Sequence, residues 1–241
     1  MSSLAVMLIA MGVADILRRM TDRIWLPALA APVVVIGCAA LAGLWRLGDI
    51  LLLSAAAAAS VAWVVSGARA ERHGRRQLAP LLVFGGAVAL LVLCSGWSSE
   101  VAGVAGRWPG WVGISVSADR LLMIVGVTLM QLVTGNQLVR LILGSVGAVK
   151  PAGQPQASDR LKGGRLLGPM ERVLILGLGL AGQLAAATAV VAAKSIIRFP
   201  EINAQKAREN GGIGIDEVTE YFLVGSFASW IVALGGLALA H

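Results

Sequence analysis

Residues 164–199 read GRLLGPMERVLILGLGLAGQLAAATAVVAAKSIIRF. Two folds compete for this stretch. Gly177, Gly179 and Gly182 fit the pattern G-x-G-x-x-G, and Val173–Leu176 before them has the composition of a first strand. A dinucleotide-binding fold would then need further parallel strands and an acidic residue about 20 positions on. Here the run stays apolar through Ala193, and nothing upstream offers a soluble sheet. Glycine and alanine in a long apolar segment instead read as a membrane helix whose small residues let its neighbours approach closely.

The rest of the chain agrees. Of 241 residues, 57% are apolar and only 14% charged, whereas soluble domains carry about 25% charged residues. The apolar runs do not alternate with period two, which excludes the strands of an outer-membrane barrel. The expected fold is therefore all-α, a polytopic transmembrane helical bundle. Six spans are expected, at about 25–45, 50–66, 80–97, 119–143, 170–194 and 218–240. Residues 1–23 form a short amino-terminal apolar or interfacial segment. In it Arg18, Arg19 and Arg23 follow the apolar run, the reverse of a signal peptide's order. Residues 24–149 form a membrane half with spans one to four, 150–163 a hydrophilic linker, and 164–241 a second half with spans five and six.

The net charge of +7 arises from 20 Lys and Arg against 13 Asp and Glu. The bases concentrate between apolar runs, as in cytoplasmic loops facing anionic lipid. Counted over six spans, twelve against six basic residues place both termini inside. The expected location is a bacterial inner (cytoplasmic) membrane, crossed several times. Membrane lipids are the expected partners, with another membrane protein or a second copy of the chain beside them. No soluble module remains to bind nucleic acid. Cys38 and Cys94 lie inside apolar runs, and His73 and His241 are isolated, so no metal ligation and no cofactor is expected. No histidine stands near a serine or cysteine, and no paired acids suit a metal-dependent lipid enzyme, so no catalytic residue is assigned.

Candidate binding residues come from the polar positions within apolar runs. Span four carries Gln131, Thr134, Asn136, Gln137 and Arg140, with Gly135 among them. Amides in lipid must face other helices or water, and interrupted helices at mid-depth mark many transport sites. Gln183 in span five is the expected partner of Gln131 or Asn136. Lys194 and Arg198 lie four apart on one helical face and, with Glu220, share one membrane level. These residues form an expected polar pocket for a small anionic solute, a lipid headgroup or protons. Arg165 and Arg172 could hold an anionic headgroup. The competing expectation is a non-catalytic interaction or assembly subunit, in which the same charges only complement helix ends and pair.

The carboxy-terminal half resembles an uncharacterised family of bacterial integral membrane proteins, a domain of unknown function. The resemblance rests on Gly164-Arg165-Leu166-Leu167-Gly168 with Glu171-Arg172, on Ala192-Ala193-Lys194-Ser195 with Arg198-Phe199, and on Glu220-Tyr221 with Gly225. It covers about 160–230 and, more loosely, Gly135–Arg140; Asp15 matches an acid in the family's short apolar opening. Pro169 and the glycine-rich 210–214 depart from the pattern. The resemblance implies a helical fold and a membrane location, and carries no activity.

Overall fold

The computed structural model describes residues 1–73, 77–113, 115–148, 164–193, 196 and 214–241. Every regular element among them is helical. The first four are α1 (Ser2–Met20), α2 (Trp25–Ala42), α3 (Leu47–His73) and α4 (Leu78–Leu93). A 3-10 turn at Ser95–Trp97 and the short α5 (Val104–Trp111) follow. α6 (Ala118–Leu129) runs through a π-helical turn, Met130–Thr134, directly into α7 (Gly135–Ser145). α8 (Gly164–Leu180), α9 (Leu184–Ala193) and α10 (Gly214–Ala240) complete the bundle.

Among the described residues, four stretches are long and apolar enough to cross a membrane: Trp25–Ala42, Leu47–Arg72, Ala118–Ser145 and Thr219–Ala240. They correspond to spans one, two, four and six of the six expected. The expected third span is a shorter apolar helix, Leu78–Leu93.

The expected fifth span, 170–194, is two helices rather than one. α8 begins at Gly164, six residues before the expected start, and stops at Leu180. Gly182 takes φ +75°, the left-handed conformation that glycine adopts without strain. The Gln183 N–H bonds the Leu178 carbonyl at 2.8 Å and the Gly182 N–H bonds that of Gly179 at 3.0 Å. This is a helix-ending cap that satisfies the last carbonyls of α8. α9 then doubles back: Ala187 is buried in one cluster with Ile175 of α8 and Ala233 of α10, and Val190, Val191 and Trp230 pack against it. Ten residues give α9 a length of about 15 Å, half a bilayer core.

α1 occupies the centre of the bundle, against α2, α3 and α6. Leu4, Ala5, Val6, Met7, Ala10, Met11 and Ala14 have no exposed surface. The segment expected as apolar or interfacial is therefore an internal helix. Small residues allow this: a methyl group at Gly126 of α6 would stand 2.8 Å from the Ala5 carbonyl oxygen. Apolar content alone would not draw α1 inward in lipid, because lipid tails are as apolar as leucine. Its polar residues do: Ser2, Ser3 and Asp15 are buried with it.

Helix ends gather on two faces. On one, Asp49 at the start of α3 accepts hydrogen bonds from the N–H of Arg46 (3.1 Å), the N–H of Ser99 (2.8 Å) and the Ser99 hydroxyl. Asp119 at the start of α6 accepts from the Ser2 hydroxyl (2.6 Å) and the N–H of Val101 (3.1 Å). The same face holds the end of α2, whose Ala42 carbonyl accepts the N–H groups of Ala102 and Gly103. It also holds the end of α10, whose Ala240 carbonyl accepts from Arg120 Nε at 3.3 Å. Both termini lie on this Asp49 face. On the opposite face Arg18, near the end of α1, meets Glu71, near the end of α3.

Candidate functional site at the π turn

In the π turn the Gly135 N–H bonds the carbonyl of Met130, five residues back, instead of that of Gln131. One residue is added to a turn, and carbonyls there become available to side chains. Two arginines from opposite sides use them. Arg172 of α8 donates from Nε (3.1 Å) and Nη2 (2.9 Å) to the Gln131 carbonyl. Arg19 of α1 donates from Nη2 to the Val133 carbonyl at 2.9 Å.

The Arg172 side is deep. The residue is 1% exposed. Nη2 also donates to Asn136 Oδ1 at 2.7 Å, and Nη1 to the Ser229 hydroxyl of α10 at 3.2 Å. A rigid guanidinium fork suits this set of acceptors, which a lysine ammonium could not bridge in the same geometry. The approach requires a glycine: a methyl group at Gly135 would stand 2.8 Å from Arg172 Nε and 3.1 Å from Cζ. Beside it, buried Glu171 accepts the Trp230 indole N–H at 2.9 Å. Gln131, fully buried, donates its amide to the Val232 carbonyl at 2.9 Å.

The α1 side is a second polar layer. Asp15 is buried and accepts the Trp63 indole N–H, 3.1 and 3.2 Å from its two oxygens. The Thr134 hydroxyl lies near the same carboxylate. Arg18 Nη2 is 3.8 Å from Asp15 Oδ1 and 3.6 Å from Glu71 Oε1, long contacts for an ion pair. Charges at this depth persist because each has an opposite charge or a carbonyl beside it.

The structure thus brings Gln131, Asn136 and Arg172 together and sets Thr134 on the other side of the same turn. Thr134-Gly135-Asn136 does not interrupt the helix; the π turn keeps it continuous. Other expected members stand apart. Arg140 is exposed on α7, and Gln183 is exposed at the α8–α9 turn, so the amide partner expected for Gln131 is replaced by the Val232 carbonyl. Glu220 is exposed on α10, nine residues before Ser229 and so about 13 Å away along the helix. Lys194, Arg198 and the side chain of Arg165 lie outside the described residues. Arg172 does not face a lipid headgroup, as expected from the sequence; its donors serve acceptors inside the bundle. The earlier start of α8 is the reason, since it moves Arg172 from the first turn to the third.

Asp15, Trp63, Arg18, Arg19 and Ser229 were not legible as site residues. One signal was present: Asp15 and Arg18 are the i,i+3 acid–base pair of an otherwise apolar helix. No protein-family model, curated protein or solved structure matches the chain.

Proposed function

We propose that the chain is a multi-pass protein of a bacterial inner membrane, and that its polar centre at the π turn binds and passes a small anionic solute. The observation that carries this reading is a fully buried arginine whose principal acceptor is a carbonyl of the π turn. An ionisable group held inside apolar helices is by default a candidate for a solute or ion pathway.

The geometry suggests how a solute would be engaged. In an α register the Gly135 N–H would bond the Gln131 carbonyl, the acceptor that Arg172 now occupies. The two are competitors for one oxygen. Closing the π turn would release two of the guanidinium's hydrogen bonds and leave its charge to be met by an anion. Opening it would return Arg172 to the backbone and discharge the anion. Arg19 on the Val133 carbonyl couples α1 to the same turn. The α8–α9 hairpin, packed on α10 through Ile175, Ala187 and Ala233, forms the wall behind Arg172.

Orientation follows from the two faces. Among the described residues, Arg46, Arg107 and Arg120 belong to segments at the Asp49 face, and Arg18, Arg19, Arg23, Arg69, Arg72 and Arg140 to the opposite half of the bundle. The basic face is then cytoplasmic and both termini external. Spans one to four keep the direction expected from the sequence; both termini move from the inside to the outside, because α1 runs through the bundle and α10 runs in the same direction as α8, with Ser229 at Arg172 and Leu237 at Gly179. The resemblance over 160–230 to a family of bacterial membrane proteins supports the location and nothing beyond it.

The test is anion flux into liposomes containing the purified protein, with chloride, phosphate and small carboxylates offered in turn and a pH-sensitive dye reporting protons. Flux of one anion, reduced at least tenfold in Asn136→Ala, supports the reading. Liposomes that stay tight to every anion while the protein co-purifies with another membrane protein favour the second reading, a non-catalytic assembly subunit.

A further inference from the structure

Near the end of α1 a buried carboxyl stands short of donors. Asp15 is 3% exposed, and the Trp63 indole N–H is shared between its two oxygens, at 3.2 and 3.1 Å. The Arg18 guanidinium is 3.8 Å away, beyond a hydrogen bond. The Thr134 hydroxyl of the π turn lies near the same carboxylate, and its oxygen is buried with no hydrogen-bond partner. Asp49 and Asp119, by contrast, accept three and two hydrogen bonds. An ionised carboxylate offers about four acceptor sites, whereas a carboxylic acid supplies a donor of its own. One proton on Asp15 fits these surroundings: its O–H is given to Thr134 Oγ1, and its carbonyl keeps the Trp63 N–H.

The cation beside it is placed to change partners. Trp63, Gly67 and Glu71 recur every four residues along α3 and form one stripe. Arg18 lies along it. A methyl group at Gly67 would stand 2.9 Å from Arg18 Nη1, so the guanidinium fills the space a side chain would take. Its Nη2 is 3.8 Å from Asp15 and 3.6 Å from Glu71, and hydrogen-bonds neither. Glu71 is 35% exposed and marks the solvent end of the stripe. A cation between two carboxylates moves toward whichever stays charged.

Other charged groups leave this balance to Arg18. α2 and α4 carry no Asp, Glu, Lys, Arg or His. Asp49 of α3 and Asp119 and Arg120 of α6 lie at the far ends of their helices. Arg69, Arg72 and Arg140 are exposed, as are Asp22 and Arg23 beyond α1, and Gln137 of α7 is neutral. Arg19 donates to the Val133 carbonyl. Toward the Asp49 face α1 is apolar from Leu4 to Ala14. Along α1, polar groups therefore approach Asp15 from the Glu71 face.

We propose that Asp15 binds a proton taken from the Glu71 face, and that Arg18 passes from Asp15 to Glu71 as the proton arrives. The proton leaves a hydronium ion in bulk water and forms an O–H bond at Asp15; no other covalent bond changes, and Arg18 keeps a carboxylate partner throughout. The proton is felt at Thr134, inside the π turn and next to the carbonyl that Arg19 holds. This goes beyond anion passage and does not require it.

The experiment is infrared difference spectroscopy of the full-length protein in nanodiscs of zwitterionic lipid, titrated from alkaline to acid pH. No flux is measured, so the result is independent of anion passage. Wild type should show a buried carboxylic-acid C=O band that grows on acidification. Asp15→Asn should abolish it, and Glu171→Gln, which removes the buried carboxyl beside Arg172, should leave it. Glu71→Gln should need a proton concentration about tenfold higher for the same band, because Arg18 then has no second carboxylate to go to. Trp63→Phe keeps the carboxyl and should shift the band to higher wavenumber, since the acid's carbonyl loses its donor. That variant carries the assignment if Asp15→Asn does not fold, and an unshifted band there counts against it. A band that never appears while the protein stays folded, or one that survives in Asp15→Asn, overturns the proton site. A Glu71→Gln titration that coincides with wild type overturns the passage of Arg18.

Discussion

Replacing Gly135 by alanine should destabilise this protein, although the same change in a helix normally stabilises. Alanine is favoured over glycine in a helix interior by about 1 kcal/mol. At Gly135 the new methyl would meet Arg172 Nε at 2.8 Å, where ordinary contact begins near 3.4 Å. The guanidinium must retreat by about 0.6 Å, and burial among four hydrogen bonds gives it nowhere to go. Its bonds of 3.1 and 2.9 Å to the Gln131 carbonyl would lengthen past useful range. A hydrogen bond to a charged group contributes about 1.5–3 kcal/mol in soluble proteins, and side-chain bonds between membrane helices average about 0.6 kcal/mol. Two bonds between those limits represent about 2–4 kcal/mol, so the net loss is about 1–3 kcal/mol after the propensity gain. Thermal unfolding in detergent should show it as a lowered midpoint. Gly85→Ala and Gly86→Ala are the controls, because nothing lies within 4 Å of either position, and they should be neutral or stabilising. In an Arg172→Met background the cost of Gly135→Ala should vanish, since a flexible apolar side chain yields. If Gly135→Ala matches the controls in the native background, the arginine is not pinned on the π turn and the competition for the Gln131 carbonyl has no basis.

Gly182→Ala places a side chain at φ +75° and should cost about 1–2 kcal/mol, with hydrogen exchange rising in 181–193 before the rest of the bundle. Asp49→Ala removes the acceptor of three hydrogen bonds, two tying Ser99 to α3 and one from the N–H of Arg46, and should cost about 1–3 kcal/mol. Asp49→Asn, which keeps one acceptor oxygen, should lose less by the same unfolding measurement. A reporter fused after His241 should behave as external, so alkaline phosphatase will be active there and a fluorescent protein dark; the opposite pattern would refute the placement of the carboxyl terminus.

The helical class and the polar cluster of span four were open to reading from the sequence, because a run of about 20 apolar residues has few other solutions. Gln131, Thr134 and Asn136 stood out for the same reason: amides in lipid need partners, whatever those prove to be. The partner was harder to find. Arg172 follows Pro169 by three residues, and a proline invites a helix to begin beside it. With that start, Glu171 and Arg172 become ordinary end charges. The chain instead begins α8 at Gly164 and carries Pro169 inside the helix, two turns of difference that decide whether the arginine meets headgroups or backbone. Hydropathy could not reveal this, since both versions have the same composition.

The hairpin escaped for a related reason. Apolar runs in lipid are counted by length, and 170–193 is long enough to cross once. What distinguishes crossing from returning is a single left-handed residue, and Gly182-Gln183 is the only place in the run where a glycine is followed by an amide. The consequence reaches beyond the local fold. α10 runs in the same direction as α8, with Ser229 at Arg172 and Leu237 at Gly179, and an internal α1 brings the amino terminus to the face where α10 ends. Among the described residues six arginines, Arg18, Arg19, Arg23, Arg69, Arg72 and Arg140, then lie toward one face, and three, Arg46, Arg107 and Arg120, toward the other. Charge asymmetry this strong is what membrane insertion reads. The hairpin, the central position of α1 and the distribution of arginine are therefore one arrangement, and each makes the other two easier to form.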